Sequence, residues 1–455
     1  MRACAALAVC SCLLAASPAR GEQKSPAAFS LGLSQAQAAA LDRSPELKAV
    51  RFDQEAAEAQ ARGRLSTLWP KLGVDASWRD VAVIPTLTLP IPGAAPVQFA
   101  SHGSWLLGPS LSWTFWDSKA SWRAWQSLAA AARSRAQEAG AVRRRLLFEA
   151  RLAYFQVQLA LEHVRLLADS LRLAQAQHAD VAQRLRYRAA DRIDLLSAHQ
   201  EVLTYLRRLR QARSDLASSV REIFSKTGLG AGTDPSLALD GRTSADLPPG
   251  TEPATLILEL EPLDASLKAL DVAAAPSPVD PRVQALADSA EASRLAAQSA
   301  SAERWPKLQL SAKTDLEYPN GPVLQTIHQT AVALSFSLPL FEGWRVTEEV
   351  GRARKQAQAF DERRSQAEMD LDRDKRQAED QLAGLRAQQE VNRVAVSETE
   401  ELARLVYDSY KYGRSTFLEV QSANLRALEA KVQAARTDAQ ALAQLAVLRS
   451  LSSEE

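Results

Sequence analysis

Trp69-Pro70-Lys71-Leu72 occurs again as Trp305-Pro306-Lys307-Leu308, 236 residues further on. Each copy follows a proline by 25 residues: Pro45 in Ser44-Pro45-Glu46-Leu47, and Pro281 in Asp280-Pro281-Arg282-Val283. Two matching words at one matching interval mark an internal duplication, and a repeat of this length sets the architecture. Strict alternation follows each tetrapeptide. Leu72, Val74, Ala76 and Trp78 are separated by Gly73, Asp75 and Ser77, with Lys71 and Arg79 flanking them. In the second copy Leu308, Leu310, Ala312, Thr314, Leu316 and Tyr318 alternate with Lys307, Gln309, Ser311, Lys313, Asp315 and Glu317. A period of two gathers the apolar side chains on one face of a strand and the charges on the other.

Each repeat then offers a second such strand. Trp105, Leu107, Leu111, Trp113 and Phe115 alternate with small polar residues, as do Val332, Leu334, Phe336, Leu338 and Leu340. Strands of about 9–11 residues, apolar outside and polar inside, are what a transmembrane β-barrel requires. A soluble sandwich alternates too, but all nine tryptophans lie within or close beside these four segments. Trp69, Trp78, Trp105, Trp113, Trp116 and Trp305 are the expected interfacial girdle. Lys71, Asp75, Arg79, Lys307, Lys313 and Asp315 are the expected lumen residues.

The chain has 455 residues and a net charge of +1, which argues against a nucleic-acid partner. Met1-Arg2 followed by an apolar run to Ala16 reads as a signal peptide over 1–21, cleaved after Ala19 or Gly21. Cys4, Cys10 and Cys12 all fall inside it, so neither a disulfide nor a thiolate metal site is expected after cleavage. Residues 31–68 read as helix, interrupted at Ser44-Pro45. Pro85, Pro90, Pro92 and Pro96 mark a loop between the first two strands, and the repeat offset falls from 236 to 225 across it. From about 119 to 187 a 4-3 rhythm through Leu146, Val157, Val164 and Leu171 reads as a coiled-coil seam. A return helix runs from Asp194 to about Phe224. Residues 229–280 read as a joint between repeats, with a strand at Ala254–Leu260. The second repeat retraces the plan over 281–304, 344–410 and the Leu425–Ala446 return. The division is therefore 1–21 signal peptide, 22–228 first repeat, 229–280 equatorial linker and 281–455 second repeat.

Helix, strand, strand, long helix, turn and long helix, all twice, resembles the TolC-like outer membrane efflux protein family. The points of resemblance are the twin Pro…Trp-Pro-Lys-Leu blocks and the strand endings Phe115-Trp116-Asp117 and Leu340-Phe341-Glu342-Gly343. A third is Tyr410-Lys411-Tyr412-Gly413…Phe417-Leu418-Glu419-Val420, which looks like the family's periplasmic turn. The first copy, Tyr187-Arg188-Ala189-Ala190…Asp194, has Ala190 in place of the family glycine and reads as two residues shorter between tyrosine and acid. The resemblance implies a mainly α fold with a transmembrane barrel: a trimer with twelve strands, continuous with a periplasmic helical barrel. It also implies an outer membrane export channel of an efflux or type I secretion system, spanning into the periplasm. Its partners would be a periplasmic adaptor and an inner-membrane transporter.

The family match puts Glu419 at the closed periplasmic aperture. Ser422 stands where a second acid is expected, and Asp194, Tyr410 and Gly413 complete the candidate gate. Tyr410 is placed to hydrogen-bond Asp194 across the repeats. No catalytic motif, cofactor site or metal site is expected, since the five histidines lack ligand spacing. Asp370, Asp372 and Asp374 alternate with basic residues and read as a solvated face. The alternative readings are a periplasmic adaptor and a coiled-coil scaffold of an export system.

Overall fold

A computed structural model of the chain describes residues 27–84, 86–87, 97–98, 101–229, 256–270, 280–321 and 323–452. The expected signal peptide and most of the Pro-rich loop lie outside them. The chain opens with β1 (Ala27–Ser30), α1 (Leu33–Arg43) and α2 (Pro45–Leu65). The side chain of Ser44 accepts from Leu47 N at 3.3 Å and Pro45 occupies the first turn of α2. Asp280 and Pro281 do the same work later, with Asp280 accepting from Arg282 N at 2.8 Å. Such a cap contributes about 1 kcal/mol and sets where the helix begins.

After α2 come β2 (Lys71–Asp80), β3 (Thr86–Leu87), β4 (Val97–Gln98) and β5 (Gly103–Trp116). The loop between β2 and β5 is not wholly irregular, because β3 and β4 pair antiparallel within it. Then α3 (Ala120–Arg186) runs for 67 residues and α4 (Arg192–Thr227) returns for 36. The second repeat has α6 (Pro281–Ala302), β7 (Lys307–Tyr318) and β8 (Ile327–Ser337), then α7 (Arg345–Lys411) of 67 residues and α8 (Phe417–Ser452) of 36. The four long helices share one offset, 225, at both ends. At 1.5 Å per residue the longer pair spans on the order of 100 Å.

The expected joint is more than a linker. Within it β6 (Leu256–Glu259) pairs in parallel with β1, and α5 (Leu263–Leu270) packs on α8. Gln158 Nε2 of α3 donates to Glu261 O at 2.6 Å and Ser266 Oγ at 2.9 Å, and Tyr154 Oη donates to Leu31 O at 3.1 Å. These bonds tie the start of the chain and the joint to one level of α3.

β2, β5, β7 and β8 form one antiparallel sheet in that order. The register carries an apolar row across all four strands, Leu72–Leu111–Ala312–Val332, and beside it a polar row beginning Lys71–Ser112–Ser311. A bulge between Thr114 and Trp116 leaves Phe115 extra and returns Trp116 to the apolar row opposite Leu308. Trp78, Trp105 and Tyr318 line up at the far end, the last two stacked at 6.4 Å. One polar-face residue departs from expectation: Asp315 is buried, not open to a lumen. It lies over Gly108, where a Cβ would sit 2.6 Å from Asp315 Oδ1 and 2.1 Å from Thr314 O. Only glycine fits there, and Lys313 Nζ satisfies the carboxylate at 3.1 Å.

Both sheet edges are open. Among the described residues β2 pairs only with β5, and β8 only with β7. All ten residues of β2 are exposed.

Each second strand hands over to its long helix through a tight turn with two left-handed residues. Ser118 and Lys119 have φ of 53° and 68°, and Gly343 and Trp344 have 59° and 65°. Ala120 N donates to Asp117 O at 3.0 Å and Arg345 N to Glu342 O at 3.2 Å, closing both turns. Three of the four residues are not glycine, and each costs about 1 kcal/mol in this region. That both copies keep the same strained pair shows that the direction of the helix, not local comfort, is what the turn specifies.

Below the turn, the α3 seam is buried as the 4-3 rhythm predicts, with Val157, Val164, Leu167 and Leu171 all nearly inaccessible. It packs against Tyr205, Leu209 and Leu216 of α4 and Leu442 and Ala446 of α8 in a single core. Each such side chain contributes about 1.5–3 kcal/mol by leaving water.

Candidate functional site

The candidate gate lies at the far end of the helices, where α3, α4, α7 and α8 meet in a small separate core of Val181, Ala198, Tyr410, Phe417 and Val420. Both helix ends close in the same way. Tyr187, Arg188 and Ala189 donate their N–H groups to the carbonyls of Arg184, Leu185 and Arg184. Tyr412, Gly413 and Arg414 do so to Ser409, Tyr410 and Ser409. This is a Schellman stop in each copy, with the left-handed residue Arg188 (φ 57°) or Gly413 (φ 71°). The sequence alignment of the tips is thereby corrected. Tyr187 matches Tyr412, not Tyr410, so neither tip is shorter. The residue standing in for the glycine is Arg188, not Ala190.

Six hydrogen bonds between the described residues join the repeats at this end. Tyr410 Oη donates to Asp194 Oδ2 at 3.1 Å, the pairing expected from the sequence, and Tyr407 Oη donates to Asp180 Oδ2 at 2.9 Å. Arg184 holds Asp180 at 3.1 Å through Nε and reaches Lys411 O at 3.0 Å through Nη1. Burial first, and then the Asp194 carboxylate, pushes the Tyr410 hydroxyl up to about 12; burial and Asp180 raise Tyr407 as well. Both tyrosines are therefore neutral donors at any working pH. Further up, Gln421 Nε2 donates to Ser197 O at 2.9 Å. Asn424 Nδ2 bridges Gln177 Oε1 at 2.9 Å and Glu201 Oε1 at 3.4 Å. That layer is buried, and burial is the leading cause that raises the Glu201 carboxyl above its ordinary value, partly offset by the Asn424 amide.

Glu419 has a second task that the sequence reading missed. Its Oε2 accepts from Thr416 N at 3.0 Å while Thr416 Oγ1 accepts from Glu419 N at 3.4 Å. This reciprocal capping box starts α8, and Thr416-Phe417-Leu418-Glu419 carries its signature. Glu419 and Ser422 are both exposed. The tip thus brings Asp194, Tyr410, Gly413 and Glu419 to one end of the molecule. Tyr407, Asp180, Arg184 and the Gln177–Glu201–Asn424 layer are the members not foreseen.

The remaining candidates sit elsewhere. Lys71, Asp75, Arg79, Lys307 and Lys313 share the polar face of the sheet. Trp69, Trp113, Trp116 and Trp305 lie at its helix-side end, where Trp113 Nε1 donates to Leu68 O at 3.0 Å. Asp370 and Asp374 both pair with Arg373, at 2.7 and 2.8 Å. Among the described residues no cluster of three or more His, Cys, Asp or Glu side chains could hold a metal. Nor is any described helix long and apolar enough to cross a membrane.

A family model described as outer membrane efflux protein matches residues 37–229 and 279–453, one block per repeat. No curated protein matches the chain in sequence. Solved structures share the fold. CusC is 14% identical over 93% of this chain and 92% of its own, with a TM-score of 0.72. The CmeC outer membrane channel of Campylobacter jejuni is 14% identical over 93% and 87%, at 0.69. The outer membrane protein VceC of Vibrio cholerae is 16% identical over 92% and 96%, also at 0.69.

Proposed function

The chain belongs to the outer membrane efflux protein family, and we propose that three copies of it form one duct, coupled by a periplasmic adaptor to an inner-membrane transporter. It is an outer membrane efflux channel that spans into the periplasm. Channels of the family are trimers that work with adaptor proteins and inner-membrane pumps. The observation that carries the proposal for this chain is the pair of open sheet edges, β2 and β8. Four strands cannot enclose a lumen, and an unpaired strand edge in lipid leaves several backbone groups unsatisfied at a few kcal/mol each. Pairing β8 of one copy with β2 of the next removes both edges, and three four-stranded sheets give twelve strands. The mass of the protein in detergent should be three times that of the chain. A stable monomer would overturn the proposal.

In this reading the polar sheet face lines the lumen, with Lys71, Asp75, Arg79, Lys307 and Lys313 giving it mixed charge. Asp315 acts instead within the wall, holding β7 against Gly108 of β5. The tryptophans form girdles at the two membrane surfaces. The tip is the gate. The bonds Tyr410–Asp194 and Tyr407–Asp180 hold α7 and α8 against α3 and α4, and their release widens the aperture. Glu419 and Ser422 border the opening, where three Glu419 carboxylates attract cations. The chain divides into 22–228, 229–280 and 281–455 behind the leader at 1–21, with the middle segment an equatorial collar.

A further inference from the structure

Each contact between the two repeats has an unfilled counterpart. β5 pairs with β7 and α3 packs on α6 and α8. The repeat offsets, 236 through α2 and β2 and 225 beyond the loop, ask that β8 pair with β2 of a second copy, and that α7 receive α2 and α4 of that copy. The offset of 225 translates the polar links at the tip. Tyr407 against Asp180 becomes Ala182 of the neighbour against Leu405. The Asn424 position becomes His199 of the neighbour, and the Gln177 position becomes Leu402. Gln421, which bonds Ser197 O, becomes Leu196. The polar partners are replaced by leucines at three of these positions.

Those leucines are exposed in the single chain: Leu402 by 41%, Leu405 by 52% and Leu196 by 57%. The contrast between Leu428 and its counterpart Leu203 is direct. Leu428 is 6% exposed in the core shared with α3, whereas Leu203 is 41% exposed. We propose that adjacent copies join near the tip through an apolar seam, Leu196 and Leu203 of α4 in one copy against Leu402 and Leu405 of α7 in the next. This rests on the trimer reading above. Six helical hairpins then meet at six seams: three within chains, where polar links flank a small apolar core, and three between chains, which lack those links. A polar seam can exchange its hydrogen bonds for water when it parts, whereas an apolar seam loses burial and gains nothing. The gate therefore opens within each chain, and α7–α8 of one copy moves together with α3–α4 of the next.

The test is crosslinking of the full-length protein in outer membranes, with a short bismaleimide and no other cysteines. His199→Cys with Leu402→Cys should yield covalent dimers and trimers, while Gln177→Cys with Asn424→Cys should link only within a chain. A native trimer in which the 199/402 pair yields only monomers would overturn the seam and leave the trimer standing. A native monomer would overturn both. Leu405→Asp should reduce the fraction surviving as trimer after mild heating roughly tenfold, as a buried unpaired carboxylate would. Asp180→Leu should leave that fraction unchanged and raise resting conductance. Equal loss of trimer in both variants would refute the division into polar and apolar seams.

Discussion

α3 and α7 have the same length, the same turn before them and the same Schellman stop after them, yet they bury very different surfaces. Twenty residues of α3 are buried and only seven of α7. The difference follows the neighbours, since α3 is covered along its length by α1, α2, α4, α6 and α8, whereas α7 packs mainly on α6 and α8 and meets α3 and α4 at the tip. Where α3 carries a hydrophobic seam, α7 carries ion pairs such as Arg364–Glu368 at 2.9 Å and Arg373–Asp370 at 2.7 Å. Each is worth only a few tenths of a kcal/mol. The duplication preserved a backbone and released its side chains. Helix length and phase are held by the repeat, whereas burial is set by what lies alongside.

The sharpest way to break that comparison is to cut the same position in both helices. Leu167 and Asn392 are equivalent under the offset of 225. Leu167→Ala should lower stability by about 2–5 kcal/mol through transfer and cavity terms. Asn392→Ala, which loses one bond to Thr437 Oγ1, should cost about 1 kcal/mol. Thermal unfolding of the two variants decides, and equal losses would mean that α7 is as deeply engaged as α3.

Next in size is the tip. Tyr410→Phe removes a bond to a carboxylate worth about 1.5–3 kcal/mol, so resting conductance in single-channel recordings should rise about tenfold or more. No change would leave the Tyr410–Asp194 contact as surface decoration. The two helix stops come third. Arg188→Gly should stabilise the tip by up to about 1 kcal/mol by relieving a left-handed side chain, and Gly413→Ala should destabilise it by a similar amount. Hydrogen exchange at the tip amides would show both changes, and shifts of the same sign would refute the match between Arg188 and Gly413.

The pH dependence should be smaller. Burial raises Glu201 above its ordinary 4.5, so the closed layer favours the protonated carboxyl. Its contribution is full below pH 4.5 and is lost as the pH climbs through the raised value. Resting conductance should therefore grow with pH across that window, and Glu201→Gln should flatten the rise. The smallest effect is expected for Glu419→Gln, which should lower cation selectivity modestly. Unchanged selectivity would leave Glu419 as the cap of α8 alone.

Most of the architecture is legible because it rests on spacing. Trp-Pro-Lys-Leu at one offset, alternation in four strands and a 4-3 seam are local patterns that found their elements, although β8 ends at Ser337 and leaves Leu338 and Leu340 outside the sheet. The tip was harder. Its two tyrosines, Tyr410 and Tyr412, compete for the match with Tyr187; the offset of 225 already pairs Tyr187 with Tyr412, and the left-handed torsions of Arg188 and Gly413 agree. Thr416-x-x-Glu419 was readable as a capping box and was passed over for the charge of its last residue. Asp315 could not be placed from alternation, which assigns a face but not the depth of a side chain over a glycine. The Gln177–Glu201–Asn424 layer draws on three helices, and nothing in the sequence brings those residues together.

The common offset of the four long helices has a consequence for how such a molecule can change size. One residue added to α3 alone would turn everything beyond it by about 100°, carrying Asp180 away from Tyr407. A lengthening must enter descending and returning helices alike, in both repeats, and keep the phase of the seam. Seven residues, about two turns or roughly 10 Å, is the smallest step that nearly does so. The depth to which the duct reaches should thus be quantised, adjustable by whole double turns in all four helices and by nothing in between.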